Sequence, residues 1–259
     1  MDLQLAGRSA VVTGASRGIG LATVRALRAE GMRVVAGART SPVELTETGA
    51  TVVPVDLSTP AGAVRLVERA LEELGEIDVL VNNVGGTDRV QNLAFADSTD
   101  EEWYEFLELN LMAPVRVTRA ALPSLLRTRG VVIAVSSGDA LTPRQGTPIG
   151  YPSAKAALNT AMKALSVELG ARGVRVTTVS PGATRTSLWE GEVGARFATA
   201  AGVAHEDFLA MLPTHAGVLT ERWITPEEIA AAITFVASPR SASTIGANFL
   251  IDGGALRSL

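Results

Sequence analysis

Short, continuous apolar runs recur along this chain, and the residues between them place their apolar side chains at helical spacing. Ser9–Thr13, Arg33–Ala38, Thr51–Val55, Ile77–Val81, Val131–Val135, Val174–Val179 and Asn248–Ile251 read as strands. A strand half exposed to water alternates apolar with polar, whereas one covered on both faces does not. The helical stretches are Ile19–Arg28, Pro60–Leu74 with Thr59 as N-cap, Asp100–Arg127, Gly150–Arg172, and one from Pro226 capped by Thr225. Strands alternating with helices predict an α/β fold: a doubly wound parallel sheet of about seven strands with helices on both faces. Pro54 cannot donate to a ladder, so its strand is expected at an edge. A kink is expected at Pro114. Residues 1–259 read as one domain, and Ser187–Arg222, irregular and weakly periodic, as a substrate lid within it.

Composition removes several function classes. The net charge is −4, which disfavours a nucleic-acid binder. There is no cysteine, so disulfides, thiolate metal sites and cysteine nucleophiles are excluded. His205 and His215 are the only histidines, leaving little for a metal site or a serine–histidine triad, and no metal is expected. No apolar run approaches the ~20 residues of a membrane span, and the start MDLQLAGRSAVV is unlike a signal peptide. A soluble cytoplasmic protein is the expectation.

The first strand runs into Thr13-Gly-Ala-Ser-Arg-Gly-Ile-Gly20 and then a helix. Gly14 permits a tight turn, Gly18 lets a phosphate approach the backbone, and Gly20 lets helix and strand pack closely. The free N–H groups and dipole of the helix N-terminus favour a pyrophosphate there. This loop resembles the cofactor loop of the short-chain dehydrogenase/reductase family. Further matches follow in order: Asn82-Asn-Val-Gly85 for NNAG, Asn110 in LNL, Ser136-Ser137 after the fifth strand, and Tyr151-Pro-Ser-Ala-Lys155 for YxxxK. Ser180–Thr186 matches the PG loop, and Ile251-Asp-Gly-Gly254 the terminal DGG. The resemblance implies a Rossmann-type fold, a nicotinamide cofactor and a homotetramer or homodimer.

Tyr151 and Lys155 are four positions apart and share one face of a helix. A nearby ammonium favours the phenolate, so Lys155 is expected to lower the pKa of Tyr151. The resemblance implies Tyr151 as general acid in reduction and base in oxidation, with Lys155 also holding the nicotinamide ribose. It implies Ser137 as the hydrogen-bond partner of the reacting carbonyl, and Asn110 as the holder of a water linking Lys155 to solvent. Ser137 lies fourteen positions before Tyr151, one more than is common in the family, and reads as carrying an inserted residue within Gly138–Gly150. Ser136 is the alternative, because strand side chains reverse direction at each step. Trp103 and Tyr104 are assigned to packing.

At the end of the second strand an acid would select NAD by binding the ribose hydroxyls. Ala38 stands there, followed by Arg39, and Arg17 lies in the glycine loop. Two guanidiniums suit a dianionic 2′-phosphate, so NADP(H) is preferred and NAD(H) is the alternative. The resemblance adds Ser16 and Ile19 in the loop, and Asp56 and Leu57 at the adenine. It also adds Asn83 and Gly85 at the adenosine ribose, Pro181, Gly182 and Thr184 in the PG loop, and Thr186 at the carboxamide. The expected reaction is NADPH-dependent reduction of a ketone, of an oxoacyl or other hydrophobic type. Trp189, Phe197, Phe208, Leu209, Met211 and Leu212 are candidate pocket walls. The two histidines are expected in surface or packing roles. Arg127, Arg129 and Arg172 offer a loose match to an acyl-carrier docking face. NAD-dependent alcohol oxidation and a non-catalytic NADP sensor are the rival readings.

Overall fold

A computed structural model of the chain describes residues 1–87, 94–144 and 146–257. Its strands are β1 (Ser9–Thr13), β2 (Arg33–Ala38), β3 (Thr51–Pro54), β4 (Val79–Asn82), β5 (Val131–Val135), β6 (Arg175–Pro181) and β7 (Asn248–Ile251). They form one seven-stranded sheet in the order β3-β2-β1-β4-β5-β6-β7, every neighbouring pair parallel. Val12 in β1 stands opposite Ala36 on one side and Val81 on the other. β3 is an edge strand ending at Pro54, as the missing N–H requires.

Adjacent residues of one strand point to opposite faces, and the two faces build two cores. Val11, Leu80 and Val132 pack with Leu66, Leu125 and Leu158. These last come from α3 (Pro60–Leu74), α5 (Ala113–Thr128) and α6 (Gly150–Gly170). Val12, Val81 and Ile133 pack with Leu27, Ile229 and Ile233, from α1 (Gly18–Ala29) and α10 (Pro226–Ala237). The Thr59 hydroxyl accepts from the Gly62 N–H, and Thr225 forms a reciprocal capping box with Glu228. Each cap precedes a proline, whose missing N–H costs nothing in the first turn. A short helix, α2 (Val43–Thr46), joins β2 to β3. The strand order reverses between β1 and β4, which opens a crevice at the carboxyl ends of these strands. No described helix is long and apolar enough to cross a membrane.

Two expectations need correction. The long helical stretch runs without a break as expected, but its interruption is a π turn over Glu108–Met112, ahead of Pro114, that joins α4 (Asp100–Leu107) to α5. Pro114 has no N–H to give the carbonyl of Asn110 four residues earlier, so the ladder widens there. The 187–222 segment is mostly helical: α7 (Ser187–Glu190), α8 (Glu192–Ala201) and α9 (His205–His215). These helices are too short to print a period. They are tied by aromatic contacts, with Trp189 5.5 Å from Phe197, 6.3 Å from Phe208 and 6.0 Å from Trp223 between ring centroids. Gly194 lets α7 and α8 meet, since a Cβ there would lie 1.7 Å from the Trp189 carbonyl oxygen.

Candidate active site

The glycine loop turns between β1 and α1, with Gly14 at φ +66° and Gly18 at φ +54°, values that L side chains rarely adopt. A Cβ on Gly14 would come within 2.9 Å of the Val84 Cα, and one on Gly20 within 2.3 Å of the Gly14 carbonyl oxygen. Gly20 therefore serves packing, as its spacing indicated, and is not among the residues that line the crevice. The Asn83 side-chain amide donates to the carbonyls of Thr13 and Gly14, 3.0 Å each, while the Thr13 hydroxyl accepts from the N–H groups of Asn83 and Val84. The end of β4 thus clamps the loop in place.

Two connected cavities follow. The first is lined by Gly14, Arg17, Gly18, Ile19, Asn83 and Gly85, and continues past Ser136, Ser137, Tyr151 and Lys155 to Pro181, Gly182, Thr184 and Thr186. The second shares Gly14, Arg17, Asn83 and Gly85, and adds Ser16, Arg39, Asp56 and Leu57. Apart from Gly20, each residue expected at a cofactor lies along one or both. Asn110 stands just behind, on the π turn. The shape fits a dinucleotide. It runs across the strand switch point, Arg39 lines its second part just after β2, and Arg17 lines both parts.

The first cavity is also where the proton-handling groups meet. Lys155 is buried on α6 and its ammonium donates to the Val135 carbonyl at 2.9 Å. Burial lowers its pKa to about 8. A Cβ on Gly85 would lie 2.7 Å from both the Lys155 Nζ and the Asn110 Oδ1, so glycine is what lets these two groups approach. The Asn110 amide is engaged on both ends: Oδ1 accepts from the Gly86 N–H, and Nδ2 donates to the carbonyls of Gly86 and Phe106.

Tyr151 departs from expectation. Its pKa is not lowered by Lys155 but raised to about 12. Burial is the largest cause. A hydrogen bond from Ser137 opposes it, and the Asp139 carboxylate adds to it while Arg144 works against it. Of the serine pair, Ser137 acts on the acidity of the phenol and accepts from the Asp139 N–H. The Ser136 hydroxyl donates to the backbone carbonyl of Lys155. Both touch the cavity, so the alternation of strand directions did not exclude Ser136.

The far wall is only partly as expected. Trp189 and Phe197 line the cavity, together with Leu188. Phe208 packs behind them, 6.4 Å from the Phe197 ring, and Leu209, Met211 and Leu212 are not among the lining residues. His205 contacts the Trp189 carbonyl and His215 the Met211 carbonyl, both packing roles. Trp103 bonds Ser98, whereas Tyr104 is 64% exposed and packs little. Arg127 is paired with Glu76 on the surface. Sequence reasoning missed Asp139, Arg144 and Thr147, all of which line the cavity. The long Ser137–Tyr151 spacing was the available signal.

Comparison with known proteins agrees with this geometry. Residues 14–255 match the family described as Enoyl-(Acyl carrier protein) reductase. A protein of Streptomyces virginiae assigned as the monensin polyketide synthase ketoacyl reductase is 35% identical, covering 97% of this chain and 98% of its own. L-fucose dehydrogenase of Bos taurus is 34% identical, over 98% of this chain and 92% of its own. Among solved structures, L-sorbose reductase from Gluconobacter frateurii, complexed with NADPH and L-sorbose, superimposes with a TM-score of 0.90 at 31% identity, covering all of both chains.

Proposed function

The chain belongs to the short-chain dehydrogenase/reductase family, and from that premise we propose that it is an NADPH-dependent carbonyl reductase. One observation carries this reading: a half-buried phenol, the Ser137 hydroxyl and a buried ammonium converge on the cavity that the glycine loop opens. A sensor that merely bound a dinucleotide would have no use for that proton-handling set.

A bound nicotinamide would supply the hydride; the residues of this chain do the rest. Gly14, Ser16, Gly18 and Ile19 would hold the pyrophosphate, and Arg17 and Arg39 the 2′-phosphate. Asp56 and Leu57 would meet the adenine, Asn83 and Gly85 the adenosine ribose. Pro181, Gly182, Thr184 and Thr186 would hold the nicotinamide. Ser137 and Tyr151 would both donate to the substrate carbonyl, where negative charge develops. A phenol held at about 12 is neutral at pH 7 and so carries the proton that a reduction needs. An alkoxide is a stronger base than even this phenolate, so transfer from the Tyr151 Oη runs downhill. Lys155 would bind the nicotinamide ribose and return a proton through a water placed beside Asn110. α7, α8 and α9 would cover the substrate and exclude water.

The test is a fluorescence titration with NADPH and with NADH, on wild type and Tyr151→Phe. Tight binding of NADPH alone, retained in the variant within about threefold, is expected. Turnover of a ketone should fall roughly a hundred- to ten-thousandfold, the usual worth of a positioned acid. Preference for NADH would refute the arginine assignment, and undiminished turnover would refute the role of Tyr151.

A further inference from the structure

Part of the cavity lining is polar, and it holds an ion pair between Asp139 and Arg144. The Asp139 carboxylate is buried and takes both forks of Arg144, from Nε at 2.5 Å and from Nη2 at 2.9 Å. The two carboxylate oxygens are thereby turned toward the guanidinium. Arg144 retains a third of its side-chain surface exposed, against 4% for Asp139. What the pair offers the cavity is therefore the outer edge of a guanidinium, Nη1 and the second N–H of Nη2, a surface that donates and cannot accept. The fork geometry and the buried acid fix where those donors point. They lie close enough to the Tyr151 phenol for the two groups to influence each other electrostatically. A ligand whose carbonyl oxygen sits on Ser137 and Tyr151 would bring its next substituent to this edge.

We infer that Arg144, clamped by Asp139, is a specificity-determining residue that receives a second acceptor oxygen of the substrate, the acyl oxygen of an oxo ester or oxo acid. This rests on the carbonyl-reductase reading. The pair is neutral as a whole, so an ester oxygen, which brings no charge next to Asp139, suits it better than a carboxylate. The apolar wall formed by Trp189, Phe197 and Leu188 would take the alkyl part.

The experiment compares kcat/KM for methyl acetoacetate, acetoacetate, 4-methoxybutan-2-one and 4-hydroxybutan-2-one, with NADPH saturating. The methoxy ketone differs from the ester only in lacking the acyl oxygen. Wild type should favour the ester, and the ester-to-methoxyketone ratio should fall roughly 10- to 100-fold in Arg144→Met, the worth of one hydrogen bond to a charged donor. Asp139→Asn, which keeps the guanidinium but loosens it, should lower the ratio less. A role confined to loop structure or to the acidity of Tyr151 would depress both substrates alike and leave the ratio unmoved, which would overturn the inference. So would a wild type that prefers the hydroxy ketone, or that does not discriminate at all; either leaves the reductase reading standing. Acetoacetate outperforming its ester would overturn the preference for a neutral acyl group. A wild type that binds NADPH yet reduces none of the four overturns both readings.

Discussion

The cofactor side of the crevice and its substrate side are held by different kinds of force. On the cofactor side the backbone itself is the structure. Gly14 and Gly18 take left-handed conformations, Gly20 lies against a carbonyl, and Asn83 and Thr13 bond main-chain groups. On the substrate side the structure is made by side chains: the Trp189 cluster, the Asp139–Arg144 pair and the His205 contact. A left-handed backbone turn accepts few residue types, whereas an aromatic cluster can be rebuilt in many ways. The relatives named for ketoacyl groups and for L-fucose match nearly the whole chain at similar identity.

The sharpest break of that contrast is Gly14→Ala. The methyl group would meet the Val84 Cα at 2.9 Å while forcing an L residue to hold φ +66°. The left-handed conformation alone costs about 1–2 kcal/mol, and the clash adds to it. NADPH affinity should fall by roughly tenfold or more, because the loop N–H groups proposed to hold the pyrophosphate move with the loop. Titration and thermal unfolding check both effects. An unchanged affinity would mean that the backbone is not what fixes this half.

The same division decides what could be read in advance. The sheet, the glycine loop and the Tyr151/Lys155 pair were legible because each depends on residue type at fixed spacing. The acidity of Tyr151 was not. It depends on how far the surroundings of the ring desolvate it and on Asp139, neither of which YxxxK encodes. The π turn at Asn110 was half legible: Pro114 marked a disturbance, but its form depends on how α4 and α5 pack. The Asp139–Arg144 pair was hidden because a loop brings together residues that no periodicity relates. Phe208, Leu209, Met211 and Leu212 were placed on the cavity by composition, which cannot say which face of a short helix turns inward.

Lys155 stands where the two sides meet, and its titration separates them. Its pKa is lowered to about 8, so it carries its charge below that pH and loses it above. The value of kcat/KM for NADPH, which reports the free enzyme, should therefore fall as pH rises through about 8, approaching roughly tenfold per unit. Lys155→Met should be slow throughout and lack this limb. A wild-type profile flat to pH 10 would remove Lys155 from cofactor binding.

The smallest expected effect tests whether the substrate side is as tolerant as its packing implies. Phe208 lies behind Trp189 and Phe197 and does not line the cavity. Phe208→Leu forfeits aromatic contacts worth about 0.5–1.5 kcal/mol each and leaves the wall itself in place. The melting temperature should drop by roughly 2–4 °C for each kcal/mol lost, and KM for a carbonyl substrate should move by less than about threefold. Trp189→Leu, which changes the wall, should shift KM further while costing similar stability. Equal shifts in KM from the two variants would mean that Phe208 reaches the substrate when α7, α8 and α9 close over it. The substrate side would then be a moving surface, and a single arrangement of its side chains would no longer account for its selectivity.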